Sequence, residues 1–142
     1  MPFNLKVRDV MTPNPVTLSP EESLMEALQM MRLRKIRQIP VVSAAGKLVG
    51  LLTEGDLKRA APSTLSDTQE QFMAVMEGTQ VNRIMIQNLV TTTPDTLLIE
   101  AARTLFRNKY GALPVLDGEK LVGILTDNDL IGALVKVLES HP

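Results

Sequence analysis

The feature that most constrains the fold of this chain is that it is written twice. Val7-Arg8-Asp9-Val10-Met11 returns as Val81-Asn82-Arg83-Ile84-Met85, an offset of 74 residues from Val7 to Val81. The same offset aligns Val16-Thr17 with Val90-Thr91, Ser19-Pro20-Glu21 with Thr93-Pro94-Asp95, Glu26-Ala27 with Glu100-Ala101, and Ile39-Pro40-Val41 with Leu113-Pro114-Val115. One residue is then lost where Ser43-Ala44-Ala45-Gly46-Lys47 faces Asp117-Gly118-Glu119-Lys120. Beyond it, Leu48-Val49-Gly50-Leu51-Leu52-Thr53-Glu54-Gly55-Asp56-Leu57 matches Leu121-Val122-Gly123-Ile124-Leu125-Thr126-Asp127-Asn128-Asp129-Leu130. A duplicated fold tolerates a length change in a Gly-bearing turn. The chain divides into a first repeat at 5–61, a linker with a short helix at 62–80 and a second repeat at 81–139.

Each copy reads as the same string of elements. Ser19 or Thr93, followed by Pro and an acid, predicts a helix start with a hydroxyl N-cap, and Ser19 with Glu22 fits a capping box. Apolar residues recur at helical spacing as Leu24, Ala27, Leu28, Met31 and as Leu98, Ala101, Ala102, Leu105, one buried face per copy. Two short apolar runs follow, Ile39 to Val42 and Leu48 to Leu52, with counterparts Leu113 to Leu116 and Leu121 to Leu125, joined by loops of hairpin length. A second helix begins at Thr53 or Thr126. The expectation is an α/β (α+β) fold of two pseudo-symmetric repeats, each a small sheet with two helices, packed sheet to sheet. Phe72, Met73, Val75 and Met76 mark the linker helix.

Composition narrows the chemistry. With 142 residues, 44% of them hydrophobic and 22% charged, the chain has the balance of a folded domain rather than a disordered one. Fifteen basic and sixteen acidic side chains leave a net charge of −1, so no overall field drives it onto nucleic acid or an anionic membrane. Three Phe, one Tyr and no Trp argue against a stacking platform for single strands. The absence of cysteine removes disulfides, thiolate metal sites and cysteine nucleophiles, and the single histidine, His141, stands beside the C-terminus. Met1-Pro2-Phe3-Asn4-Leu5-Lys6 lacks a signal-peptide core and no run reaches membrane-spanning length, which points to the cytoplasm. No nucleophile–base pair or glycine-rich phosphate loop accompanies the repeats, so turnover is not expected.

Pro15-Val16-Thr17-Leu18 with Leu89-Val90-Thr91-Thr92 at the matching place, and Ile/Leu-Pro-Val and Gly-hydrophobic-hydrophobic-Thr-x-x-Asp, each present twice, resemble the CBS domain named after cystathionine β-synthase, paired copies of which form a Bateman module. The resemblance covers residues 5 to 138, and within the family the chain is similar to small stand-alone bacterial proteins, some linked to acetoin utilisation. It implies an adenosine-containing ligand, AMP, ADP, ATP or S-adenosylmethionine, held by Thr53 and Asp56 in the first copy and Thr126 and Asp129 in the second. The Asp would take the ribose hydroxyls through charge-assisted hydrogen bonds, the Thr would lie near the phosphate or ribose, and the helix N-terminus would add donors for a phosphate. Main chain at Arg37-Gln38-Ile39 and Gly111-Ala112-Leu113 would read the adenine, with Val16 and Leu89-Val90 closing over it. Many members with phosphate-bearing ligands carry Arg or Lys directly before the Asp, whereas this chain has Gly55 and Asn128. Arg32, Arg34, Lys35 and Arg37 face only Arg107 and Lys109 in the other copy, so the two sites are expected to be unequal.

Plainer readings stand beside these. Thr-x-x-Asp is also a helix N-cap with a first-turn acid, and the basic run from Arg32 also suits a solvated helix end. Tyr110 either stacks on adenine or is half-buried at a helix–strand junction. The last helix carries Leu130, Ala133, Leu134 and Val137 as a core-facing stripe and Ile131, Val135 and Leu138 as a second one, which predicts a homodimer. The function classes left open are a nucleotide sensor acting on an unidentified partner protein and a ligand-free dimerisation module.

Overall fold

The computed structural model describes residues 4–62 and 68–141. In chain order it contains α1 (Val7–Val10), β1 (Thr12–Pro13), α2 (Leu24–Arg34), β2 (Gln38–Val42), β3 (Leu48–Thr53), α3 (Glu54–Ala60) and α4 (Gln69–Gly78). A 3₁₀ turn at Val81–Arg83 then leads to α5 (Leu98–Arg107), β4 (Ala112–Asp117), β5 (Lys120–Thr126) and α6 (Asp127–Ser140). Helices and small antiparallel sheets are mixed, and the two apolar runs of each copy form a hairpin. Among the described residues no helix is long and apolar enough to cross a membrane.

The sequence copies and the compact units are different partitions of the chain. One unit is Val16–Leu89, the mid-chain unit; the other joins Met1–Pro15 to Val90–Pro142, the two-segment unit. The leading segment of each copy is thus built into the body made by the remainder of the other copy. Val7 N–H donates to the Thr96 carbonyl at 2.9 Å and Arg8 N–H to Pro94 at 3.0 Å; in the mid-chain unit Val81 donates to Glu22 at 2.7 Å and Asn82 to Pro20 at 3.0 Å. All four pairs obey the 74-residue offset.

Those bonds move the helix starts away from the expected position. Ser19 and Thr93 do not cap α2 and α5: residues from Ser19 form a turn, with Glu22 N–H on the Ser19 carbonyl at 3.2 Å, and the turn's outward carbonyls are taken by Val81 and Asn82. Helix α2 begins after Ser23, whose hydroxyl accepts from Glu26 N–H at 3.1 Å. Its counterpart Leu97 has no side-chain oxygen, and α5 starts with no side-chain cap.

In the mid-chain unit β2 and β3 pair from Gln38↔Thr53 to Val42↔Leu48. Leu24, Ala27 and Met31 of α2 meet Ile39, Val41, Leu52 and Leu57 in one core. Helix α4, read from sequence as part of a linker, belongs to that core: Met76 is 1% exposed and Phe72 packs beside it. In the two-segment unit the strand order is β1-β5-β4, over a core of Val7, Ala101, Leu105, Leu113, Val115 and Leu125. The mid-chain counterpart of β1 is a single bridge in which Leu51 and Ile86 exchange hydrogen bonds at 3.0 and 2.8 Å.

Gly50 and Gly123 occupy matching places under matching methionines. A Cβ at Gly50 would lie 2.5 Å from Met85 Sδ, and one at Gly123 2.5 Å from Met11 Sδ. The hydrophobic Gly-containing strand and the distant Val-x-x-Val/Ile-Met motif are therefore two halves of one contact. In α6, Leu134 does not face its own unit as expected. It is 55% exposed and joins Ile131, Val135 and Leu138, while Leu130, Ala133 and Val137 are half-buried. Steps of about 100° per residue put Leu134 between the two stripes, and α6 meets its unit mainly through β5 and α1.

Candidate functional site

Each copy ends its hairpin in a strand that turns directly into a helix, and the candidate residues gather at that junction. In the mid-chain unit Gln38 sits opposite Thr53, and Glu54 N–H donates to the Arg37 carbonyl at 2.8 Å. In the two-segment unit Ala112 sits opposite Thr126, and Asp127 N–H donates to the Gly111 carbonyl at 3.0 Å. Gly111 has φ +72°, a left-handed conformation that favours glycine. Ile39, Ala112 and Leu113 are fully buried within the paired hairpins. Val16 and Val90 lead into matching parallel bridges, Leu18↔Val41 and Thr92↔Val115. Leu89 falls at the end of the mid-chain unit, Val90 at the start of the other body's second segment.

The carboxylates are held in place by the backbone they cap. Thr53 Oγ1 accepts from Asp56 N–H at 3.2 Å, while Asp56 Oδ2 accepts from Thr53 N–H at 3.0 Å and from its hydroxyl at 2.8 Å. Thr126 Oγ1 accepts from Asp129 N–H at 3.1 Å, and Asp129 Oδ2 accepts from Thr126 N–H at 2.9 Å. Both motifs are therefore reciprocal capping boxes. The structural reading of Thr-x-x-Asp holds in each copy, and it leaves Oδ1 outside the capping box.

What stands on Oδ1 differs between the units, and neither partner was singled out from sequence. Arg59 donates from Nη2 to Asp56 Oδ1 at 2.6 Å, whereas Thr12 donates its hydroxyl to Asp129 Oδ1 at 3.0 Å. Thr12 comes from β1, 117 residues away, so no local pattern could reveal it. Its counterpart Ile86 has no hydroxyl, and the counterpart of Arg59 is Gly132. The i,i+3 spacing from Asp56 was the available signal for Arg59.

Of the basic run, Arg32 lines a small groove with Leu28, Met31, Leu57, Phe72 and Met76 whose walls do not include Asp56. Arg34, Lys35 and Arg37 are exposed at the end of α2 and before β2. Asp129 contributes with Asn128, Gly132, Lys136 and Asp9 to a depression of about 520 Å³. Tyr110 is 37% exposed at the α5–β4 junction. No cluster of metal-ligating side chains exists among the described residues.

Two copies of a hairpin-to-helix junction, each holding a capped carboxylate, define a tandem module. The CBS-domain model matches residues 7–63 and 81–136, and the chain belongs to the CBS-domain family. It is similar to a Vibrio cholerae protein named for acetoin utilization (AcuB), with TM-score 0.80 and 33% identity over 95% of this chain and 93% of that one. It is also similar to the CBS-pair protein CBSX2 in complex with AMP, with TM-score 0.76 and 29% identity over 93% of this chain and 97% of that one. The CBS domain pair of MJ0100, in complex with 5′-methylthioadenosine and S-adenosyl-L-methionine, gives TM-score 0.77 and 26% identity over 93% and 97%.

Proposed function

We propose that this chain is a cytoplasmic, non-catalytic regulatory module that binds an adenosine-containing ligand, AMP, ADP, ATP or S-adenosylmethionine, at two inequivalent half-sites. In this reading Asp56 and Asp129 take the ribose hydroxyls through Oδ1. Thr53 and Thr126 position the carboxylates, and main chain at Arg37-Gln38-Ile39 and Gly111-Ala112-Leu113 meets the base. Occupancy is passed on through a regulated protein or through a second copy of the chain. The observation that carries the reading is the duplicated carboxylate: at both junctions Oδ2 serves the cap while Oδ1 stays outside the capping box. A carboxylate fixed in this way is preorganised for a diol, because its rotamer is set before the ligand arrives. The adenosine ligands of the two similar complexes support the class of ligand. Calorimetry on nucleotide-free protein tests it: saturable heat with at least one of these ligands, lost stepwise in Asp56→Ala and Asp129→Ala, is expected. No heat with any of them refutes it.

A second reading, a ligand-free dimerisation module, is favoured by the apolar face of α6, where Ile131, Leu134, Val135 and Leu138 are all exposed. Thermal midpoints separate the two readings, since a ligand that binds only the native state raises the midpoint.

A further inference from the structure

We propose that Arg59 sets the charge preference of the Asp56 half-site, so that it accepts adenosine ligands carrying a phosphate and discriminates against uncharged or cationic ones. The inference rests on the reading that Asp56 receives the ribose, and it concerns what happens when it does.

Asp56 is 11% exposed and Arg59 is 73% exposed. The carboxylate is thus fixed in the body of the unit while the guanidinium reaches over it from solvent. It lies across Gly55, where a Cβ would stand 3.2 Å from Arg59 Nη1. A side chain at position 55 would press on the guanidinium, and Gly55 leaves Arg59 room to reach Asp56 from one helical turn later. The neighbouring cation is already engaged, with Lys58 Nζ 3.0 Å from Glu54 Oε1.

A ribose hydroxyl that binds Asp56 must share or displace Arg59 on Oδ1, because Oδ2 already holds the Thr53 N–H and hydroxyl. Displacement costs little, since an ion pair with one exposed partner is worth at most about fivefold in an equilibrium constant. It leaves a guanidinium beside the ligand without its carboxylate. A phosphate supplies the replacement anion, in the planar two-donor geometry that suits arginine. Adenosine or methylthioadenosine supplies none, and S-adenosylmethionine brings a sulfonium cation. At Asp129 the displaced group is the neutral hydroxyl of Thr12, and Gly132 stands in place of Arg59 with nothing within 4 Å of its Cβ position. Displacement there strands no charge.

The test uses the full chain carrying Asp129→Ala, which removes the carboxylate of the other half-site, with and without Arg59→Gln. AMP and adenosine are titrated calorimetrically at low and at physiological salt. Before the arginine is changed, AMP is expected to bind at least about tenfold more tightly than adenosine, with the advantage shrinking as salt rises. In Arg59→Gln, AMP should weaken about tenfold while adenosine tightens by up to about fivefold, the opposite signs being the signature of a displaced ion pair. An AMP-to-adenosine ratio unchanged by Arg59→Gln overturns the inference, and if Asp56→Ala still abolishes binding the reading of the half-site itself survives. Absence of binding by either ligand in the unmodified, nucleotide-free protein overturns both.

Discussion

Asp129 is expected to carry a stability role separable from any ligand. Asp129→Ala removes an acceptor from Thr126 N–H (2.9 Å) and from the Thr12 hydroxyl (3.0 Å). Thr12 is exposed and finds water in its place, so its loss costs little. Thr126 N–H sits in a half-buried strand end, and removing its partner together with a first-turn negative charge costs about 1–2 kcal/mol. A chain of this size has an unfolding entropy near 0.3 kcal/mol/K, which converts that cost to a fall in midpoint of about 3–7 °C. Asp129→Asn keeps an acceptor oxygen and should lose less than half as much. The measurement is thermal unfolding by circular dichroism in nucleotide-free protein, with Thr126→Ala and the double substitution completing a cycle. Additive losses, or an Asp129→Ala midpoint within 1 °C of the unmodified protein, would refute the reasoning. The result also governs how ligand data are read, because an Asp→Ala loss of binding mixes the missing ribose contact with a loosened helix start.

Gly50→Ala should lower stability by about 1–3 kcal/mol, because its Cβ meets Met85 Sδ at 2.5 Å with the Ile86 carbonyl 3.2 Å away. Adding Met85→Ala should recover part of that loss; a double variant no better than the sum of the two would show that the glycine answers to the backbone alone. Glu22 has its pKa raised above the usual carboxylate value, chiefly by burial and then by the neighbouring Glu26, against a hydrogen bond from the Ser19 backbone. A carboxyl whose folded pKa is raised stabilises the fold while protonated and loses that contribution as pH climbs through the unfolded and then the folded value. Glu22→Gln should therefore raise the midpoint at pH 7 and lose the advantage below about pH 4; an equal gain at both pH values speaks against it. Val135→Glu, on the exposed face of α6, should convert a self-associating protein to monomer by light scattering while leaving its circular dichroism unchanged. Association at tens of micromolar that persists in the variant means another surface is used.

Duplication, the helix–hairpin–helix order within each copy and the hairpin positions were legible because they rest on local spacing, whereas the entry strands expected at Val16 and Leu89-Val90 are reduced to single bridges at Leu18 and Thr92. Leu24, Ala27 and Met31 announce a helical face whatever surrounds them, and Thr-x-x-Asp announces a cap. The helix starts at Ser19 and Thr93 were misplaced because a hydroxyl-Pro-acid triplet suits a turn as well as a cap. The choice fell to the Pro20 and Glu22 carbonyls, which are claimed by a segment some sixty residues downstream. The linker helix was read for its apolar residues but not for its place, since Met76 becomes core only when α2 lies beside it.

The sequence by itself determined two copies of one motif, each ending in a strand-to-helix junction with a capped carboxylate, because periodicity and capping are properties of neighbouring residues. Tertiary structure alone decided which segment completes which unit, and with it the partner of Asp129 Oδ1. Once α1 and β1 cross into the other copy's body, Thr12 reaches Asp129, while Ile86 offers Asp56 nothing and Arg59 fills the position. Two junctions nearly identical as text thus differ in what stands on Oδ1, a neutral hydroxyl brought from a distant segment at Asp129 and a guanidinium from the same helix at Asp56, because a hydrogen bond is set by distance in space, whether its partner lies far along the chain or near.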